Sequence, residues 1–482
     1  MKTEQTPLER ARAYEREADV QEQDRPLFHL TPRVGWMNDP NGFCVYQGRF
    51  HLFYQYHPYD RFWGPMHWGH AHTRDFLHWT YEPCALAPDT DQDAEGCFSG
   101  TALPLKDGRL MLLYTGVGRG NVQAQCMAVG DGRDFEKCPL NPVVRPDDLP
   151  EGYSAVDFRD PRVWEAEDGS FRLAVANRHR DRHGTILFFS GKDGIHWDFR
   201  GEIDASRGEY GKMWECPDFF RLQDKQVLMV SPQEMHARDE FHPGYGTVAI
   251  LGDWEEETCR FSRTSLQTVD HGLNFYAPQT LQAPDGRRIM TAWMENWETC
   301  GGEERRHAWY GQMICPRELS IRKGRLYQEP VREIRNLWRD EIHHDLSVRE
   351  EVCLPGVEGR LIDMTLRIRT EGSGCRRFTL QLARDAAHTV LIHLDPEKGE
   401  MIFDRSHDGS LRDIVHTRCV KAEPEQGEIR LRILMDRESV ELFLQDGARA
   451  VTSLIHNPPE AGGMTFFADA PVQMTLTAHP LS

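Results

Sequence analysis

Three acidic residues, Asp39, Asp160 and Glu215, lie in similar sequence contexts, "NDPNG", "FRDPR" and "WECPD". Cleavage of a glycosidic bond needs such groups: a general acid for the leaving oxygen and a carboxylate at the sugar carbon. Metal binding is an alternative, but calcium and magnesium sites usually take acids close together on one loop. Acids near turns can also serve only to accept backbone N–H groups. Because three acids share one context, we favour glycosidic cleavage.

The elements that must position these acids are β-hairpins. Apolar and polar residues alternate on both sides of Gln47-Gly48 in "FCVYQGRFHLFYQY", which is typical of a hairpin. Similar turns recur at intervals of 55 to 62 residues, at Gly48, Gly108, Gly169, Asp224 and Gly286. A second marker recurs at intervals of 59 or 60 residues, at Asp75, Asp134, Asp193 and Asp253. Repeats of this length are typical of four-stranded propeller blades, so five hairpins predict a five-bladed β-propeller.

The repeat predicts that the three acids meet. The residues nine positions before the five turns are Asp39, Ser99, Asp160, Glu215 and Ala277. The early strand of each propeller blade lines the central channel, so residues in one register form a ring near one mouth. Large aromatic residues occur in the surrounding segments, namely Trp36, Trp63, Tyr276 and Trp293. Such side chains suit the apolar ring faces and hydroxyl groups of sugars.

The composition excludes several classes of protein. The formal net charge of -19 is not offset by a long Lys/Arg run, which argues against nucleic acid and anionic membranes as partners. The charged N-terminus lacks the apolar core of a signal peptide, and no segment approaches about 18 consecutive apolar residues. Twelve cysteines without a C-x-x-C pair indicate scattered reduced thiols. We therefore expect a cytoplasmic protein with neither membrane nor nucleic-acid partners.

Two other segments contain residue types that bind metals or phosphates. In "HWGHAH", residues 67–72, a strand places His70 and His72 on one face and His67 on the other, which disfavours a metal site. The segment "NRHRDRH", residues 177–183, is basic, and its arginines have the geometry to clamp a phosphate. A charged surface loop is the favoured interpretation of that segment. The sequence thus predicts no metal and no cofactor.

The motifs together resemble glycoside hydrolase family 32, the family of invertases, sucrose-6-phosphate hydrolases and fructan hydrolases. In the order of that family they are "WMNDPNG", "FYQYHP", "WGPMHWGHA", "CFSG", "FRDP", "WECPD" and "FYAPQ", and "LMDRESVELFLQDG" resembles its C-terminal strand motif. The resemblance implies an all-β fold, a five-bladed β-propeller followed by a C-terminal β-sandwich. The expected divisions are an N-terminal helical extension (1–27), the catalytic propeller (28–340) and the sandwich (341–482).

The resemblance also implies roles for single residues. Asp39 would be the nucleophile at fructosyl C2, Glu215 the general acid/base, and Asp160 the acid that holds fructosyl hydroxyls. The residues matched to substrate binding are Trp36, Asn38, Gln55, Trp63, Phe98, Ser99, Arg159, Tyr276 and Trp293, the last two at the pocket rim. Two residues depart from the family pattern: His57 replaces an asparagine and Glu95 an aspartate. Both put the leaving-group preference in question more than the reaction.

The expected activity is retaining hydrolysis of terminal β-D-fructofuranosyl residues from sucrose, sucrose 6-phosphate or short fructo-oligosaccharides. Exo-acting hydrolysis of inulin or levan and fructosyl transfer stay open as alternatives. The arabinan- and xylan-cleaving propellers also use three acids, but the "WMNDPNG" and "WECPD" contexts disfavour them. A sugar-binding propeller without turnover is an alternative of another class, and three intact acids argue against it. The expected partner is a small fructoside, and a homo-oligomer stays open.

Overall fold

The computed structural model describes residues 5–181, 183–301 and 307–482, and this part of the chain is almost entirely β-structure. Its single α-helix, α1 (Pro7–Glu17), begins with a capping box in which Thr6 and Glu9 exchange side-chain to backbone hydrogen bonds. The buried carboxylate of Glu15 accepts the backbone N–H of Cys84 at 3.0 Å, which ties the helix to the first sheet. Within the described residues no helix is long and apolar enough to span a membrane.

Five sheets follow in chain order, and we call them the N-terminal sheets. Their strands are β1 (Gly35–Tyr46), β2 (Arg49–His57), β3 (His67–Thr73) and β4 (Trp79–Leu86); β5 (Gly96–Pro104), β6 (Leu110–Gly118), β7 (Val122–Gly130) and β8 (Phe135–Lys137); β9 (Tyr153–Glu165), β10 (Phe171–His179), β11 (Gly184–Gly191) and β12 (Trp197–Ala205); β13 (Met213–Leu222), β14 (Lys225–Gln233), β15 (Val248–Glu255) and β16 (Arg260–Thr268); and β17 (Tyr276–Gln282), β18 (Arg288–Trp293), β19 (Trp309–Tyr310), β20 (Arg317–Arg322) and β21 (Arg325–Pro330). Strand β19 leaves the fifth sheet and pairs in parallel with β1 of the first.

The N-terminal sheets are arranged around a closed circuit. The first strand of each sheet contacts the first strand of the next, in the order β1, β5, β9, β13 and β17, and β17 contacts β1 again. All five turns predicted from the sequence fall between the first and second strands of the sheets, so these turn predictions are confirmed. The arrangement is consistent with the predicted propeller.

Each first strand is interrupted by a β-bulge at the position nine residues before its turn. The bulges lie between Met37 and Pro40, Phe98 and Gly100, Arg159 and Arg162, Glu215 and Asp218, and Tyr276 and Gln279. Three bulge residues other than glycine have positive φ angles: Asp160 (65°), Cys216 (49°) and Ala277 (52°). Bulges re-aim side chains and concentrate beside active sites, where left-handed backbone is retained despite its cost. The bulges therefore lie at the level of the first strands that carries the predicted acids.

The remaining strands form two further sheets, the C-terminal sheets. These strands are β22 (Ile342–Val348), β23 (Ile362–Arg369), β24 (Phe378–Arg384), β25 (Thr389–Asp395), β26 (Glu400–His407), β27 (Thr417–Lys421), β28 (Glu428–Asp436), β29 (Ser439–Leu444), β30 (Arg449–Leu454), β31 (Gly463–Ala468) and β32 (Val472–Pro480). The strand orders are β22-β32-β23-β28-β29-β30 and β27-β26-β25-β24-β31, and both sheets contribute to one hydrophobic cluster. Leu431 and Ile433 of β28 and Val440 and Leu442 of β29 are buried in that cluster.

The opposite face of β28 and β29 packs on the N-terminal sheets. Leu434 and Phe443 share a hydrophobic cluster with Phe28 and Ile334. The same interface encloses a group of fully buried charged side chains. Alternation along one strand pair thus supplies two cores, one inside the C-terminal sheets and one between the two sets of sheets.

We call this group of charges the interface network. Glu441 accepts hydrogen bonds from the Arg317 guanidinium at 2.6 Å and lies 2.9 Å from His29 Nε2. Arg317 also donates to Asp270 at 2.8 Å, and His29 Nδ1 lies 2.8 Å from Asp436. Burial alone would lower the pKa of His29, but its bonds to Asp436 and Glu441 raise that pKa to about 9. His29 is therefore an imidazolium between two carboxylates at neutral pH.

Candidate active site

The three predicted acids come from three different N-terminal sheets, and one residue, Cys216, touches two of them. Asp39 lies on β1, Asp160 on β9 and Glu215 on β13. The Cys216 Sγ atom lies 3.5 Å from Asp39 Oδ2 and 3.6 Å from Asp160 Oδ2, and its backbone N–H donates to Asp160 Oδ2 at 2.9 Å. Because Cys216 follows Glu215 in the chain, all three acids converge on one small space.

Asp39 is nearly enclosed, with 8% of its surface exposed. Ser99 donates its hydroxyl to Asp39 Oδ2 at 3.1 Å, while Asp39 Oδ1 has no hydrogen-bond partner within the described residues. Burial raises the pKa of Asp39 to about 7, and the negative charges of Asp160 and Glu215 add to that effect. The Asp39 carboxylate is therefore fixed through Oδ2, while Oδ1 is buried without a hydrogen bond among the described residues.

Hydrogen bonds hold both the backbone and the side chain of Asp160 at its bulge. Its own backbone N–H donates to Thr115 Oγ1 at 2.9 Å, which fixes the left-handed conformation of this residue. Burial raises the pKa of Asp160 to about 6, against the opposing positive charge of Arg159. A desolvated carboxylate of this kind is suited to accept hydrogen bonds from sugar hydroxyls.

Glu215 is oriented through both of its oxygens. Arg159 donates to Oε1 from Nε at 3.0 Å, its Nη2 lies 2.9 Å from the same oxygen, and the Tyr276 hydroxyl donates to Oε2 at 2.7 Å. Arg159 also donates to Asp157 at 3.0 Å. A rigid guanidinium on one oxygen and a phenol on the other fix the carboxyl group in direction, as a proton-transfer group requires.

Aromatic side chains form one wall of the site. Trp36 donates its indole N–H to Asn38 Oδ1 at 2.8 Å and stacks on Tyr310, with ring centroids 5.0 Å apart. Trp63 is half exposed and meets Phe98 edge to face at 6.2 Å. Trp63 is thus an exposed aromatic side chain, while Trp36 is buried in one hydrophobic cluster with Cys216.

The expected rim position of Tyr276 and Trp293 is wrong. Both side chains are fully buried. Trp293 lies against Trp36 and Trp297, with ring centroids at 6.0 and 5.1 Å, so the segment after β18 covers it. Strand alternation assigns a side chain to a face but does not show which later segment covers that face. Tyr276 still reaches the site, through its hydroxyl on Glu215.

Sequence reasoning missed three contributors to the site. Cys216 bridges two acids, Thr115 fixes the bulge at Asp160, and Gln123 accepts from Arg159 at 3.3 Å. Only Cys216 had a visible signal, since it stands inside "WECPD". The predicted residue Gln55 donates its side-chain N–H to the carbonyl of Cys97 at 3.0 Å, so it holds the strand that carries Ser99.

The two residues that depart from the family pattern support neighbouring loops. His57 Nδ1 lies 3.0 Å from the carbonyl oxygen of Phe62, beside exposed Trp63. Glu95 accepts the backbone N–H groups of Gly120 and Asn121 at 3.1 and 3.2 Å. Both residues therefore act on loop shape.

A polar cleft of about 530 Å³ adjoins the site. It is lined by Gly152, Tyr153, Ser154, Asp157, Arg178, His179 and Arg180. Asp157 links this cleft to the site through Arg159. Arg178 lies 3.9 Å from Asp157 and Arg180 lies 3.1 Å from Glu151, so each guanidinium has a carboxylate nearby. The third arginine of the predicted basic loop, Arg182, lies outside the described residues.

Comparison with known proteins gives one consistent family. Residues 29–330 match the glycosyl hydrolases family 32 N-terminal domain, and residues 333–480 match the family 32 C-terminal domain. The chain is 36% identical over 460 residues to raffinose invertase of Escherichia coli, covering 92% of each chain. It superposes on the family 32 β-fructofuranosidase of Bombyx mori with a TM-score of 0.81 at 30% identity, covering 98% of this chain and 96% of that one. The sucrose-6-phosphate hydrolase of Lactobacillus gasseri gives a TM-score of 0.84 at 25% identity, covering 99% and 96%. The chain belongs to glycoside hydrolase family 32.

Proposed function

We propose that this glycoside hydrolase is a β-fructofuranosidase that releases terminal β-D-fructofuranosyl residues from sucrose, sucrose 6-phosphate or short fructo-oligosaccharides, with retention of configuration. The observation that carries the proposal is the convergence of Asp39, Asp160 and Glu215 around Cys216. The names of its relatives, a raffinose invertase and sucrose-6-phosphate hydrolases, support the same substrate class.

The site supports a two-step mechanism. In the first step Glu215 gives its proton to the leaving oxygen as the bond from fructosyl C2 breaks, and the Asp39 carboxylate forms an ester bond to C2. In the second step Glu215 takes a proton from water, the water oxygen bonds to C2, and the ester bond breaks. Asp160 accepts hydrogen bonds from fructosyl hydroxyls, which strengthen as positive charge develops on the ring.

The charge balance of the site supports these roles. Arg159 pairs with Glu215, and its positive charge opposes the raised pKa of Asp160. Like charges in a desolvated space cannot all ionise cheaply, and burial together with mutual repulsion raises the pKa of Asp39 to about 7 and that of Asp160 to about 6. Arg159 with Tyr276 holds Glu215 in place for proton transfer at the leaving oxygen.

The same proposal covers the architecture. The closed circuit of five first strands supports a five-bladed propeller over residues 28–340, preceded by a helical extension and followed by a β-sandwich over residues 341–482. The interface network supports a structural role for the sandwich, which packs on the propeller. All twelve cysteines are unpaired, which suits a reducing compartment, and we propose the cytoplasm.

The substrate class is tested by initial rates on sucrose, sucrose 6-phosphate, inulin, levan and short fructo-oligosaccharides. We expect release of fructose from sucrose or its 6-phosphate to be fastest. Faster release from inulin or levan would indicate a fructan hydrolase, and accumulation of longer fructosides would indicate a transferase. Absence of turnover on every fructoside would refute the proposal.

The roles of the acids are tested by two substitutions. Asp39→Ala removes the nucleophile, so we expect nearly complete loss of turnover with every leaving group. Glu215→Ala removes acid and base assistance, worth roughly 10²- to 10⁴-fold, so a fructoside with an acidic leaving group should be far less impaired in the first step. Azide should then speed breakdown of the intermediate in Glu215→Ala and give a fructosyl azide of retained β configuration.

The matched control is Glu167→Ala, which removes an exposed acid at the far turn of the third sheet. Azide rescue of Asp39→Ala with an inverted product, and none of Glu215→Ala, would mean that the two roles are exchanged. Full activity in both Asp39→Ala and Glu215→Ala would refute the three-acid site.

A further inference from the structure

The turn between β10 and β11 brings together three side chains that can bind a metal ion. His179, Asp181 and His183 each offer one ligand atom, and these atoms lie within 4.8 Å of one another. We call this group the His-Asp-His turn. It lies outside the carboxylate site, and His179 lines the neighbouring cleft. The hydrolytic mechanism uses none of its residues.

The spacing fits a small divalent ion. Two ligands bound at 2.0–2.2 Å to a tetrahedral ion are about 3.4 Å apart. His179 Nδ1 and Asp181 Oδ2 are already 3.2 Å apart. The backbone N–H of His179 donates to the carbonyl of His183 at 3.1 Å, which holds the two histidines at the same level of the hairpin.

The surroundings position the first ligand. The His179 ring meets Tyr153 edge to face at 5.4 Å. A side chain at position 152 would place its Cβ 3.0 Å from His179 Nε2, so the glycine there leaves space for the ring. Asn177 bonds the backbone of Ser154 through both its oxygen and its nitrogen at 3.0 Å, which fixes the end of β10 beside β9. Packed neighbours of this kind orient a metal-binding imidazole.

Two of the described arginines near the turn have carboxylates close by. Arg180 pairs with Glu151 at 3.1 Å, and Arg178 lies 3.9 Å from Asp157. The carboxylate of Asp181 adds a negative charge to the turn itself. Binding of a divalent cation therefore does not have to overcome two unpaired guanidinium groups.

We propose that the His-Asp-His turn binds a divalent transition metal ion, with zinc as the best match. Two imidazole nitrogens and one carboxylate oxygen are ligands that zinc prefers, and three protein ligands leave a fourth position for water. The ion fastens the turn beside the cleft and takes no part in bond cleavage. The basic-loop interpretation of residues 177–183 concealed this site, because it weighed only the arginines.

The test uses the full chain after removal of metals with a chelator. Calorimetric titration with Zn²⁺ at neutral pH should show one tight equivalent for each chain, and Co²⁺ should give the visible absorption of a tetrahedral site. His179→Ala, Asp181→Asn and His183→Ala should each weaken binding by at least about tenfold. Unchanged thermal melting of each metal-free variant will show that it is folded.

The matched control is His196→Ala. His196 is an exposed histidine of the same sheet, and its Nδ1 lies 2.7 Å from Asp193. This pair offers a metal ion two ligands rather than three. This variant should keep the tight equivalent. Absence of tight binding in the unaltered protein, or its persistence in all three ligand variants, would overturn the proposal. Neither result bears on hydrolysis of fructosides, which is measured separately.

Discussion

The interface network provides the prediction whose magnitude follows most directly from the structure. Glu441→Gln keeps the size of the side chain and removes its charge. Arg317, fully buried, then retains Asp270 as a carboxylate partner but loses the negative charge of Glu441, which lies 2.6 Å away. The new amide N–H₂ group faces either Arg317 or His29, both of which are donors in this network. The substitution thus removes the carboxylate that these two cations share and sets a donor against one of them.

Removal of one partner from a buried ion pair costs about 3–5 kcal/mol. The entropy of unfolding is about 2.1 cal/mol/K for each residue, or about 1 kcal/mol/K for a chain of 482 residues that unfolds in one transition. We therefore expect the Tm of Glu441→Gln to fall by about 3–5 °C. Differential scanning calorimetry measures both the Tm and the number of transitions.

The pH dependence gives a second readout. The pKa of His29 is raised to about 9 from 6.5, so its contribution to stability is complete below about pH 6.5 and is lost as pH rises through 9. Burial opposes ionisation of Glu441, but Arg317 and His29 lower its pKa, so its contribution is lost only as pH falls through that lowered value. The Tm difference between the two proteins should be greatest near about pH 6 and should shrink above about pH 9.

The matched control is Glu397→Gln, which breaks an exposed pair with Arg376 at 3.1 Å in the same C-terminal sheets. Exposed pairs contribute about 0–1 kcal/mol, so the Tm should change by about 1 °C or less. If Glu441→Gln and Glu397→Gln have the same Tm at every pH, the reasoning from burial and charge is refuted.

Two further predictions concern the site and its cleft. Burial raises the pKa of Asp39, and a hydrogen bond from Cys216 lowers it. Because Cys216→Ala removes that bond, the acidic limb of the kcat/KM profile should move to higher pH. An unchanged acidic limb would contradict this contact. If Arg178 and Arg180 clamp a phosphate, their joint replacement by alanine should raise the KM for sucrose 6-phosphate relative to sucrose by on the order of tenfold, as expected for loss of a charged hydrogen bond. An equal change in both KM values would make the segment a charged loop.

Much of the fold was predictable because its signals are local. Turn residues and strand alternation act over a few neighbours, and the five hairpin turns, including that at Gly169, fall where the sequence placed them. The convergence of Asp39 with Asp160 followed from a repeat period, which converts local spacing into a spatial register. The family resemblance depended on the same short motifs.

Residues that stand nine positions before their turns nevertheless differ in backbone geometry. Asp160 is itself left-handed, whereas Glu215 precedes the left-handed residue Cys216. The residue types at these positions do not predict a positive φ, because the left-handed conformation persists only where the surrounding strands hold it in place. Local propensity alone would assign extended backbone there.

By itself the sequence determined the β-class, the turns, the repeat and the identity of the acids, since each depends on neighbours a few residues apart. The tertiary structure alone decided the burial of Trp293, the parallel pairing of β19 with β1, and the partners of Arg317. Those features join segments far apart in the chain, such as Arg317 with Glu441. Desolvation and charge pairing depend on all atoms around a group, and a one-dimensional pattern contains no record of which distant segment supplies them.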